Sequence, residues 1–126
     1  MNHPSTNHLI DIATRHGLTI RWHQGGPKGA WQPPSLISIR HGMDEAETIS
    51  TLAHEMAHAH HGDPCGHNPT TEHRAWKRAA HWLVCPNRYR AAELTYGPDP
   101  RRIAAELGVT THIIRTWRDT HERTTP

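Results

Sequence analysis

Thr51-Leu52-Ala53-His54-Glu55-Met56-Ala57-His58 contains the pattern His-Glu-x-x-His. Residues four apart on an α-helix lie one turn apart on the same face, so His54 and His58 can aim imidazole nitrogens at one metal ion. Glu55 follows the first of them and stands beside such an ion rather than on it. From there it can take a proton from a zinc-bound water, whose pKa the metal lowers to about 7. With 14 His and 7 Glu in 126 residues, independent draws would give the pattern roughly one time in twelve. The flanking sequence therefore has to carry the reading.

Upstream, Asp44, Glu45 and Glu47 crowd the start of a helix predicted over 44–61, where the helix dipole favours negative charge. Ala46, Ile49, Ala53, Met56, Ala57 and His60 follow the spacing of a buried stripe, and His54, His58 and His61 lie on the stripe beside it. Downstream, residues 62–69 form a loop, and Thr70 or Thr71 is the expected cap of a third helix. That helix carries the stripe Glu72, Ala75, Trp76, Ala79, Ala80, Leu83. A carboxylate on an otherwise apolar stripe needs a partner, because burying an unpaired charge is costly. A metal ion would be one.

A catalytic zinc takes three protein ligands and keeps one position open. His61 shares the face of His54 and His58, but three consecutive turns of a straight helix cannot converge on one ion. Glu72, His67, His73 and Asp63 remain as third ligands. Glu72 ranks first, because it opens a helix that must pack on the metal helix. His67 ranks second, because Gly66-His67-Asn68-Pro69 resembles the Gly-His-Gly-Pro that supplies the third His of SprT-like proteases. His61, His67, His73 and Tyr89 are the candidate donors to an oxyanion.

Before the metal helix, Asn7 is the expected cap of a short helix through Ala13, ended by Gly17. Leu18-Thr19-Ile20-Arg21-Trp22, Ala30-Trp31-Gln32 and Leu36-Ile37-Ser38-Ile39-Arg40 read as three strands of a small antiparallel sheet, with 36–40 able to offer an edge to an extended peptide. After it, 87–95 predicts a short helix. Ile103, Ala104 and Leu107, then Gly108-Val109-Thr110, then Ile113, Ile114 and Trp117 give a helix-turn-helix-like hairpin whose second helix exposes His112, Arg115, Arg118 and Asp119. The fold class expected is α+β: the sheet packed on the metal helix in a zincin-like way over 1–96, with the helical hairpin over 97–126 packed against it.

Composition bounds the rest. Only 34% of residues are hydrophobic, Phe is absent and mean hydropathy is −0.79, so the core is small and a bound metal would add stability. No apolar run reaches membrane length and no signal layout opens the chain, which predicts a cytoplasmic protein without a membrane partner. In that compartment Cys65 and Cys85 are expected to be free thiols. The net charge of +2 arises after residue 85, a weak pointer to an anionic partner.

Four blocks together resemble the ImmA/IrrE family of metallopeptidases: Leu36-Ile37-Ser38-Ile39; Thr51 through Ala59; Glu72-x-x-Ala75-x-x-x-Ala79-Ala80-x-Trp82-Leu83; and Ile103-Ala104-Ala105-Glu106-Leu107-Gly108-Val109. The resemblance is to the small actinobacterial and phage-borne members. It implies zinc on His54, His58 and Glu72, with Glu55 as general base. It also implies a cytosolic endopeptidase that cuts a protein substrate, with a helix-turn-helix repressor as the family's usual target. The alternative is a regulator without turnover, binding DNA or protein, in which zinc is structural.

Overall fold

Asp44 and Asn68 mark where the two central helices begin, and both act through one carbonyl-type oxygen. The Asp44 side chain accepts from the Glu47 amide at 2.8 Å, and the Asn68 side chain accepts from the amides of Thr70 and Thr71 at 2.9 and 3.2 Å. Such caps satisfy amides that have no partner within the helix. The computed structural model describes residues 4–66 and 68–124, with side chains as far as His121. Its elements are α1 (Thr6–Arg15), β1 (Thr19–His23), β2 (Gly29–Gln32), β3 (Leu36–Arg40), α2 (Glu45–His61), α3 (Pro69–Leu83), α4 (Pro86–Tyr96), α5 (Pro100–Leu107) and α6 (Thr111–Thr124). The α+β class expected from sequence is what the structure has.

Two expected caps move. Ser5, not Asn7, caps α1, accepting from the His8 amide at 3.1 Å. Asn68 takes the place of Thr70 or Thr71, because Pro69 can occupy the first helical position without wasting an amide.

The sheet is mixed rather than antiparallel, with strand order β1-β3-β2. β2 pairs antiparallel with β3, Trp31 facing Ile37. β1 pairs parallel with the other edge of β3, Ile20 facing Ile37. Ile37 and Ile39 are wholly buried, and the central place gives that most apolar strand partners on both edges. The 36–40 segment therefore has no free edge. The open edge beside the metal helix belongs to β2.

That edge comes very close to α2. A Cβ added at Gly29 would lie 2.5 Å from Thr51 Cγ2 and 3.1 Å from Glu55 Oε2. We expect Gly29→Ala to destabilise the fold by about 1–3 kcal/mol through overpacking, read as a lower denaturation midpoint. Adding Thr51→Ala removes the methyl that is struck and recovers much of the loss. Strictly additive effects in the double variant would refute the contact.

The metal helix was expected to bury one stripe. Instead every residue from Thr48 to His58 is buried. The sheet, α1 and α3 each pack on it, and Thr110, between α5 and α6, donates its amide to Ser50 Oγ at 3.4 Å. One apolar cluster joins Ile37 and Ile39 of the sheet, Ile49 and Leu52 of α2, and Ile103 and Trp117 of the C-terminal helices. No helix among the described residues is long and apolar enough to cross a membrane. Cys65 and Cys85 are free and exposed.

Candidate metal centre

The four-residue spacing on α2 does what helix geometry demands. The His54 and His58 rings lie 4.7 Å apart between centroids, at 70° to each other. Glu72, in the first turn of α3, reaches across to both. Its Oε1 is 2.8 Å from His54 Nε2 and its Oε2 is 2.9 Å from His58 Nε2. His54, His58 and Glu72 thus form a group able to hold a metal ion, with ligand atoms all within 4.8 Å of one another.

The surroundings favour a cation at that point. Gly62 adopts the left-handed conformation, φ 68°, and ends α2. The chain turns back, so that the Asp63 amide donates to the His58 carbonyl at 3.0 Å. Trp31 Nε1 holds the same turn by donating to the Asp63 carbonyl at 2.7 Å. Asp63 Oδ2 then lies 2.9 Å from His58 Nδ1, and its Oδ1 pairs with Arg74. A carboxylate only accepts, so a His58 proton held on Nδ1 by Asp63 would leave the Nε2 lone pair for a metal ion. Two acceptors at 2.9 Å repel unless a proton or a metal cation lies between them. Two imidazoles and one carboxylate suit zinc and other first-row divalent ions.

Glu55 is buried beside the ligands rather than among them. Its Oε2 is 3.2 Å from His54 Nδ1. Trp76 of α3 stacks on the His54 ring, centroids 3.9 Å apart and nearly parallel. Among the described residues the group able to hold a metal ion has three members.

The other residues marked in the sequence lie elsewhere. Asp63, weighed as a ligand, instead orients His58. His73 is exposed on α3. His61 sits near Arg74 and Arg78; burial first, and then those cations, hold its imidazole pKa below the ordinary range. Tyr89 is buried against Trp117, and its hydroxyl accepts from Arg118 Nε at 2.7 Å. His67 lies outside the described residues. Sequence reasoning missed Arg74 and the orienting role of Asp63. The signal for the latter was Gly62, whose turn returns the next residue to the helix it ends.

Removing a carboxylate that orients a ligand typically weakens metal binding 10–100-fold. We expect Asp63→Ala to weaken zinc binding by roughly that factor in calorimetric titration, with Asp63→Asn, which keeps an acceptor, less affected. The Trp31 bond to the backbone carbonyl survives both changes, so unfolding is not the expected cause. Wild-type affinity in Asp63→Ala would show that the contact does not tune the metal.

No family model and no curated protein matches the sequence. The functional reading therefore rests on the residues themselves.

Proposed function

We propose that the chain is a metal-dependent endopeptidase of the ImmA/IrrE kind, with zinc on His54, His58 and Glu72. The observation that carries this is the convergence of those three side chains beside a buried carboxylate, Glu55, that is not among them. A divalent ion held by these three residues would supply Lewis acidity, polarising a carbonyl and making water more acidic.

The protein's own groups do the rest. Asp63 keeps the His58 proton on Nδ1 and so presents Nε2. Trp76 covers one face of His54 and keeps solvent from it. Glu55 takes the proton of the attacking water and delivers it to the departing amine, a transfer typically worth 10²–10⁴-fold, as an order of magnitude. The open edge of β2 runs past Glu55, where an extended peptide can add as a further strand. The substrate we infer is a protein segment in extended form, with a helix-turn-helix repressor as the family's usual target and the cytoplasm as the compartment.

The DNA-binding alternative needs α6 free to enter a groove. α6 packs on α3, and Arg118 is folded inward, donating to Tyr89 and to the Pro98 carbonyl at 2.8 Å. That packing speaks against α6 as a DNA-reading helix.

The test is a degenerate decapeptide library incubated with zinc-loaded protein and read by mass spectrometry. New termini should appear, vanish with 1,10-phenanthroline and return with added zinc. A fully loaded protein that yields no cleavage overturns the proposal.

A further inference from the structure

We propose that His112, in the first turn of α6, belongs to the metal centre as a substrate-contacting residue, donating a hydrogen bond to the scissile carbonyl oxygen as it gains negative charge. This rests on the metallopeptidase reading and names a further residue of that site.

Three observations place it. The His112 ring stands edge-on to Trp76, centroids 4.6 Å apart, and Trp76 in turn stacks on His54. The start of α6 is fastened to the metal helix itself: the Thr110 amide donates to Ser50, which lies one turn before His54 on α2. The helix cannot roll away, because Ile113 and Ile114, immediately after His112, are fully buried, and Thr110 Oγ1 accepts from the Ile113 amide at 3.3 Å. The imidazole is thereby held on a rigid frame while its own residue remains exposed. It also lies within electrostatic reach of His54 and of the Lys28–Glu47 ion pair, the latter linking the start of β2 to the first turn of α2. That is the side of α2 along which the β2 edge runs. Burial first, and then the charge of His54, hold the His112 pKa below the ordinary imidazole range. A neutral imidazole keeps one N–H to donate.

Of the donors named from sequence, Tyr89 packs on Trp117 and accepts from Arg118, and the His61 ring stands edge-on to His60. The volume of about 820 Å³ between α1 and the ends of α2 and α3, lined by Leu9, Met56 and Trp82 among others, is not lined by any of the metal-centre residues.

The probe is a phosphinic dipeptide, whose tetrahedral anion imitates the charge that develops on the carbonyl oxygen. Its binding to zinc-loaded protein is measured by calorimetry beside that of acetohydroxamate, which grips the metal and extends no further. In His112→Ala we expect phosphinate affinity to fall roughly 10–100-fold, with zinc and acetohydroxamate affinities unchanged. On a peptide taken from the library, kcat should fall about 10²–10³-fold, the usual loss for one oxyanion donor, with KM changing little. His112→Gln, which keeps an N–H, should recover part of both. Unchanged phosphinate binding in His112→Ala overturns the proposal. So does an equal loss for zinc and acetohydroxamate, which would make His112 a prop for Trp76. Wild-type protein that takes up zinc and binds neither probe would sink the peptidase reading itself, and this inference with it.

Discussion

Replacing Glu72 with alanine strips the chain of metal under conditions in which the wild type is fully loaded. Glu72 is the one residue that touches both imidazoles, at 2.8 and 2.9 Å, and the two helices contribute no other carboxylate to the group among the described residues. Structural zinc in small domains binds with about 10–16 kcal/mol over four ligands, so one ligand is worth roughly 2.5–4 kcal/mol. At 1.4 kcal/mol per tenfold, that is roughly 60- to 700-fold in affinity. The second consequence is thermal. A metal held at a hundred times its dissociation constant stabilises the fold by about 2.7 kcal/mol, so zinc should raise the wild-type Tm and leave that of Glu72→Ala where it was. His73→Ala, one residue further along α3 and exposed, serves as the control and should bind normally. If Glu72→Ala holds zinc normally and His67→Ala does not, the third ligand has been misassigned.

What the sequence disclosed follows how far apart the cooperating residues lie. His54 and His58 share one helical turn, so their spacing alone defines their geometry. Glu72 was visible as a lone carboxylate on an apolar stripe, a local oddity that asks for a partner. The caps were misplaced by two or three residues because Pro69 and the polar run near Ser5 allow several starts, and only the folded chain selects one. Strand positions were legible from alternation, but strand order was not. The parallel pairing of β1 with β3 depends on which edges the rest of the fold leaves open. The complete burial of α2 had no local signature either, because it comes from packing by elements on several sides. The same holds for His112. The bond from Thr110 to Ser50 spans 60 residues, and periodicity placed His112 on an exposed helical face without saying what stood opposite. Arg118 read as exposed for the same reason, whereas it folds back onto Tyr89 and Pro98.

Glu55→Gln should retain the metal and lose turnover by a factor on the order of 10²–10⁴, the usual worth of a positioned general base. The substitution suits the site. Glu55 is packed against the backbone at Gly29, and Gln has nearly the same volume, so the fold and the ligand helix stay as they are. The variant also separates two roles the geometry allows. Glu55 Oε2 is 3.2 Å from His54 Nδ1, so the carboxylate could act by orienting that ring, as Asp63 does for His58. Gln keeps an acceptor oxygen for such a contact but cannot take a proton from water. An orienting role therefore predicts near-normal turnover in Glu55→Gln and weakened metal binding in Glu55→Ala. A base predicts full metal loading, undiminished phosphinate binding and lost turnover in Glu55→Gln. Calorimetry with zinc and with the phosphinic dipeptide, set beside the cleavage rate of one library peptide, distinguishes them. A Glu55→Gln protein that is loaded with metal and still cuts at the wild-type rate would remove Glu55 from the mechanism.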